Sequence, residues 1–174
     1  AVDQTIFSGG GVEVETSMGI FEIQLFIEES PITSANFLAY VDEGFYDGED
    51  GLGATVFHRV ISGFVAQGGG LTAGGENKVT HAAILNEAGE SGLLNVRGTL
   101  AMARTSQPHS ATSQFFVNLT DNDFLDPDES TDGYAVFAEV TAGMDVVDAI
   151  GEVATDAADG PLEPITIEQI ARVE

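Results

Sequence analysis

The sequence predicts a mainly β fold: a closed antiparallel barrel of eight short strands capped by two α-helices. Three observations lead there. Short segments that alternate apolar and polar residues recur along the whole length. Two segments carry helical spacing with start and stop signals. Strands do not alternate with helices, so the rhythm of a parallel βαβ sheet is missing. At 174 residues, 43 % of them apolar, the chain is expected to form a single domain over 1–174 with a real core. Residues 1–11, "AVDQTIFSGGG", read as an arm ahead of the first strand.

"VEVETSMGIFEIQLF" alternates on both sides of "TSMG", which makes a hairpin of two half-buried strands. Ser30 followed by Pro31 reads as a capping side chain and a proline at the first helical position. The helix places Ile32, Phe37, Leu38 and Val41 near one face and stops at Gly44. "DGEDGLG" is an acidic, glycine-rich loop. "VFHRVISGFVAQGGG" is two short apolar strands around a small turn, with Arg59 in the first of them. A long polar loop runs to about Asn95. "GTLAMAR" and "QFFVNL" are strands, and "NDFLD" is one helical turn on a loop. "YAVFAEV" is a strand, "GMDVVDAIG" a short helix with a glycine stop, and "ITIEQIARV" the last strand.

Composition excludes several function classes. With 29 acidic residues against five Lys plus Arg, the formal charge is −24. Nucleic acid and anionic membranes are polyanions that such a surface repels. No run of about 18 apolar residues is present, so nothing is expected to span a membrane. Without cysteine, no disulfide, thiol nucleophile or thiolate metal site forms. The acid-rich, lysine-poor balance is that of a surface adapted to high salt, or of a merely soluble acidic protein. Ala1 is the kind of small residue that signal-peptide removal leaves, and equally what a trimmed chain shows. The expected location is periplasmic or exported, with the cytoplasm of a salt-adapted organism as the alternative.

The usual chemical motifs fail on inspection. "DFLDPDESTDG" sets Asp126, Asp128, Ser130 and Asp132 at alternate positions, like a calcium loop. Thr131 stands where that loop needs glycine and no Glu closes it, so a solvated acidic loop is the better reading. "GGGLTA" at 68–73 matches a dinucleotide fingerprint by letter but opens no helix. His58, His81 and His109 have no partner four residues away for zinc. His109 lies near Ser110 and Ser113 without a nucleophile elbow. His58 reads as a partly buried structural histidine on the strand face opposite Arg59. No metal and no cofactor is expected. A strand arginine taken alone is ordinarily a surface charge. Phe116 is equally well a core residue, and Tyr134 a strand start.

The residues taken together change those readings. "VFHRVISGFVAQGG", then "RGTLAMARTSQPHSATSQFFVNL", then "FLD" and "GYAVFAEVTAGMDVVDAI" closely resemble the cyclophilin family of peptidyl-prolyl isomerases, in its bacterial branch. The likeness runs from the first hairpin to the last strand. It implies the eight-stranded barrel with two capping helices, and catalysis of X–Pro rotation at a proline pocket outside the barrel. By that resemblance Arg59 matches the catalytic arginine, and Gln67 the glutamine that helps hold it and the substrate. Phe64, Phe116 and Leu125 match proline-pocket residues; Ala103, Arg104 and Gln114 match the strand and loop that bind substrate backbone. Val65 stands where methionine is usual, Phe124 where tryptophan is, Tyr134 where histidine is, and Arg104 replaces an asparagine. Tyr134, Phe124 and Arg104 put high cyclosporin affinity in doubt, so weak binding is expected. Val65 and Gln67 share strand parity and Phe64 does not, so Phe64 needs a bulge or a rim position to join them. The implied partners are proline-containing polypeptides, met by a monomer. Two other readings stand beside this one: a peptide-binding module with little turnover on the same barrel, and an acidic barrel binding calcium through "DPDESTD".

Overall fold

The alternation over residues 12–26 forms the expected hairpin. Strands β1 (Gly11–Thr16) and β2 (Gly19–Leu25) pair in unbroken antiparallel register around Ser17 and Met18. Val12, Val14, Phe21, Ile23 and Leu25 are buried and the residues between them are more exposed, as a period of two requires. The computed structural model describes residues 9–173. Residues 1–8 of the expected arm lie outside the described residues. Gly10 already belongs to the fold, since its carbonyl accepts a hydrogen bond from Leu25 N–H at 2.7 Å.

The remaining elements follow in chain order. Helix α1 (Pro31–Asp42) precedes two two-residue strands, β3 (Asp47–Gly48) and β4 (Gly53–Ala54). Next come β5 (Arg59–Ile61), β6 (Val65–Gly68), the short helix α2 (Ala88–Ser91), β7 (Thr99–Met102) and β8 (Phe115–Asn118). A 3-10 turn at Asp123–Leu125 leads to β9 (Val136–Ala142), α3 (Met144–Gly151) and β10 (Ile167–Val173). Eight strands form one antiparallel sheet in the order β10-β1-β2-β9-β7-β8-β6-β5.

That sheet is strongly curled but open, which corrects the expectation of a closed barrel. Its edges, β5 and β10, share no ladder. Bonds outside the β5–β6 and β1–β10 ladders stitch the seam: Phe57 N–H to Ile165 O at 2.9 Å and Ile167 N–H to Thr55 O at 3.0 Å. The reason is local. β5 is three residues long, and the segment entering β10 contains Pro161 and Pro164, which have no N–H to donate.

Helix α1 packs against β9 and β10, and α3 against β2, β5 and β6. From α1, Phe37 enters a cluster of rings with Tyr46, Phe115 and Phe137, centroids 5.0–5.7 Å away. Two details of α1 differ from expectation. Ile32 is exposed, and the buried face is Thr33, Ser34, Phe37, Leu38, Tyr40 and Val41. Ser30 does not cap the helix; its hydroxyl donates to Val136 O at 2.7 Å. Glu87, distant in sequence, supplies the cap: its carboxylate accepts from Thr33 N–H (2.6 Å) and Thr33 Oγ1 (2.7 Å).

The acidic loop acquires a role through the sole lysine. Lys78, its side chain 4 % exposed, donates to Asp50 (2.9 and 3.1 Å), Phe45 O (2.7 Å) and Gly53 O (2.6 Å). Its ammonium also lies 4.6 Å from the Phe45 ring centroid. The loop thus closes into the β3–β4 ribbon around a buried cation. Among the described residues no helix is long and apolar enough to cross a membrane.

Candidate active site

Strand parity divides the apolar residues between two faces. Val60, Ala66, Leu100, Met102, Phe115 and Val117 point into the main core. Their neighbours Val65, Ala101, Phe116 and Val136 form a second cluster with Leu125 on the other face, packed by Phe64, Ala103 and Tyr134. Phe116 is therefore buried and yet outside the barrel interior, which resolves the two readings open for it.

A depression of about 180 Å³ opens over this second cluster. The ladder sets one side of it. Arg59 lies opposite Gln67, and Gln67 opposite Phe116, so all three project to the same face. Arg59 Nη1 donates to Gln67 Oε1 at 3.4 Å, and Gln67 Nε2 donates to Gln114 Oε1 at 2.9 Å. Phe64 reaches the depression from the turn before β6, where its N–H closes on Ile61 O at 3.0 Å and Gly63 takes φ +70°. That turn is the rim position its parity called for. The other side is Leu125, Tyr134 and Arg104. Arg104 is held firmly. Its guanidinium donates to Gly133 O (3.1 and 2.9 Å) and Thr105 O (2.9 Å), and lies 4.3 Å over the Tyr134 ring.

Nine of the eleven residues singled out from the sequence line this depression: those just named, with Val65 and Ala103. Gln114 stands behind it as the partner of Gln67, its carbonyl accepting from Ala103 N–H at 3.0 Å. Phe124 is not in the lining. It is 65 % exposed and stacks on the outer side of Phe64, centroids 5.5 Å apart.

The charges are distributed unevenly. Two arginines and no carboxylate line the depression of a chain with formal charge −24. Lys78, Arg97 and Arg172 each pair with an aspartate. Arg59, exposed, has no carboxylate partner among the described residues. His58, half-buried on the opposite face, has its buried Nδ1 without a hydrogen-bond partner. Burial, and then the Arg59 charge, push His58 below the usual histidine range.

Among the described residues no group of three or more His, Asp or Glu side chains is placed to hold a metal ion. In the acidic loop, Asp126 Oδ1 accepts from Asn95, and Asp128 Oδ1 accepts from Ser130 and Thr131. Sequence reasoning passed over Asn95, Asn118 and Asn122, all buried behind the Leu125–Tyr134 wall. Three asparagines in the apolar stretches "LLNVRG" and "FFVNLTDND" were the available signal.

The family model described as "Cyclophilin type peptidyl-prolyl cis-trans isomerase/CLD" matches residues 11–172. Peptidyl-prolyl cis-trans isomerase B of Escherichia coli (strain K12) is 51 % identical over 166 residues, covering 91 % of this chain and 97 % of that protein. A peptidyl-prolyl cis-trans isomerase of Acinetobacter baylyi is 49 % identical over 160 residues, covering 90 % of this chain and 81 % of its own length. Among solved structures, a Cryptosporidium parvum cyclophilin-type isomerase, crystallised in the presence of the dipeptide Ala-Pro, superposes with a TM-score of 0.77 at 26 % identity, over 94 % of this chain and 99 % of that one. The chain belongs to the cyclophilin-type peptidyl-prolyl cis-trans isomerase family.

Proposed function

We propose that this cyclophilin-type isomerase accelerates X–Pro rotation by gripping the proline ring in the outer depression and donating a hydrogen bond from Arg59 to the proline nitrogen. The observation that carries the assignment is Arg59 itself: an exposed guanidinium with no carboxylate partner among the described residues, beside a depression to which Phe64, Val65, Phe116, Leu125 and Tyr134 contribute.

The chemistry follows from the amide. Twisting an X–Pro bond destroys resonance and costs about 18–20 kcal/mol. In the twisted state the proline nitrogen regains its lone pair and accepts a hydrogen bond that the planar ground state does not. A donor aimed there binds the transition state better than the substrate, which is what raises the rate. Lowering the barrier by about 7 kcal/mol gives roughly 10⁵-fold acceleration. Arg59 stays charged and has a fork of donors, so one arm holds the neighbouring carbonyl while another meets the nitrogen. Gln67, fixed by Gln114, braces the guanidinium. Phe64, Val65, Phe116, Leu125 and Tyr134 bury the ring, and Ala103 with Arg104 flanks the substrate backbone. The ring end is fixed while the other end turns, and the low local dielectric strengthens the arginine's bond. No cofactor enters the reaction.

The substrates are exposed proline-containing segments, taken by a monomer, in an exported compartment or a salt-adapted cytoplasm. Cyclosporin binds weakly, because Phe124 carries no indole N–H and lies outside the depression. The test is cis/trans exchange of a tetrapeptide with proline third. Catalysed exchange is expected; binding without exchange would leave only a peptide-binding module.

A further inference from the structure

The two sides of the site are held by different means. Arg59, Gln67 and Phe116 sit on the β5–β6–β8 ladder. Phe64, Leu125 and Tyr134 sit on turns, outside the ladder. Backbone bonds hold them in part, from Leu119 N–H to Phe64 O and from Tyr134 N–H to Leu125 O, both at 2.9 Å, and a chain of buried amides joins them. Asn118 ends β8 opposite Val65 and so faces the same side as the depression. Its Nδ2 donates to Asn95 Oδ1 and Thr99 Oγ1, both at 3.0 Å, and its Oδ1 accepts from Asn122 Nδ2 at 2.8 Å. Asn122 Nδ2 also donates to Phe64 O at 3.1 Å. At the other end, Asn95 Nδ2 donates to Tyr134 O (3.2 Å), Leu125 O (3.3 Å) and Asp126 Oδ1 (3.0 Å). Asn122 N–H donates to Asn95 O at 2.8 Å. The three asparagines are at most 3 % exposed.

Two of these side chains make little sense as local structure. Asn95 and Asn122 bond to the backbone of wall residues 30 to 58 positions away, and Asn118 links the two. Buried amides are costly unless every partner is present, and when satisfied they favour one geometry over its neighbours. We infer that Asn95, Asn118 and Asn122 are positioning residues: a buried amide relay that fixes Phe64, Leu125 and Tyr134 and so sets affinity for the proline ring, while leaving the Arg59 donor untouched. This rests on the ring-gripping role proposed above.

The relay predicts a split between KM and kcat. In Asn95→Ala the Tyr134 carbonyl loses its donor and the Leu125 carbonyl keeps only the Tyr134 N–H at 2.9 Å, so the wall loosens and KM for the proline-third tetrapeptide rises about tenfold. The rotation step keeps its donor, so kcat stays within about twofold. Asn122→Ala, acting through Phe64, should raise KM in the same sense. The double variant should fall short of the product of the two effects, because both act through one network. Val14→Ala, in the core on β1, is the control for lost stability alone and should leave KM unchanged. Unchanged KM in both asparagine variants, or a fall in kcat at constant KM, overturns the relay. So does a Val14→Ala control whose KM rises with its loss of stability. If the wild type binds the peptide without turnover, the isomerase reading fails and calorimetric Kd ratios of the same variants decide the relay. A wild type that neither binds nor turns over the peptide overturns both.

Discussion

Replacing Lys78 by Met removes the one buried cation, takes its donor from two backbone carbonyls and leaves Asp50 with only the Leu52 N–H (2.9 Å). Breaking one side of a buried pair typically costs about 3–5 kcal/mol. The Asp50 side chain is 16 % exposed and can rehydrate in part, which favours the lower end, about 3 kcal/mol. For a chain this long each kcal/mol moves Tm by about 2–4 °C, so a fall of about 6–12 °C is expected. The Arg172–Asp42 pair, with both side chains about half exposed, is the contrast: Arg172→Met should barely move Tm. Salt separates the two further. At 1 M the Debye length is about 3 Å, which erases an exposed pair's contribution but screens a buried one much less. Thermal melts of the wild type and both variants, in low salt and 1 M sodium chloride, provide the measurement. Isomerisation well below Tm should be unchanged in Lys78→Met, because the ribbon contributes nothing to the depression. A Tm loss for Lys78→Met under about 3 °C, or one that disappears in 1 M salt, would refute the claim that the lysine is a buried anchor.

Three further outcomes are expected. Cyclosporin should bind weakly by calorimetry, and Phe124→Trp should tighten it by about fivefold, one hydrogen bond of about 1 kcal/mol, with peptide turnover nearly unchanged; tight binding by the wild type would contradict this. With a formal charge of −24 the folded state repels itself, so wild-type Tm should rise with sodium chloride, most steeply at low concentration; a flat series would mean the acids are locally compensated. His58 is held below its usual pKa by burial and then by Arg59, so below about 6.5 the unfolded chain takes up the proton first and the folded chain loses stability as pH falls. The stability of wild type relative to His58→Gln, from urea melts, should therefore drop between pH 7.5 and 5.5; a constant difference would show that His58 titrates alike in both states.

The sequence made the sheet and one side of the site legible because both rest on strand parity. The pairing of Arg59 with Gln67, and the placing of Phe116 on the outer face, follow once strands β5, β6 and β8 are in register. What stayed hidden depends on partners far along the chain. Ser30 looks like a cap, yet its hydroxyl goes to Val136, and Glu87 does the capping from 54 residues away. Lys78 and the loop it locks are 28 residues apart, and neither is informative without the other. The asparagine relay crosses three turns. The barrel's closure fails for a reason only geometry displays: a strand of three residues facing a proline-interrupted segment. Phe124 shows the converse, since matching a position does not place its side chain, and this one lies outside the depression against Phe64.

The central claim is that Arg59 acts on the twisted amide and not on the bound ground state. Measuring kcat for isomerisation and the calorimetric Kd of the same proline-third peptide, in wild type, Arg59→Ala and Arg59→Lys, tests it most directly. Loss of a preorganised charged donor from a transition state typically costs about 10²–10³ in kcat. Arg59→Ala should lose that much with Kd changed only a few-fold and Tm hardly at all, because the side chain is exposed and anchors no core residue. Arg59→Lys should remain poor, since an ammonium lacks the fork. Near-normal kcat in Arg59→Ala, or a loss carried entirely by Kd, would contradict the account.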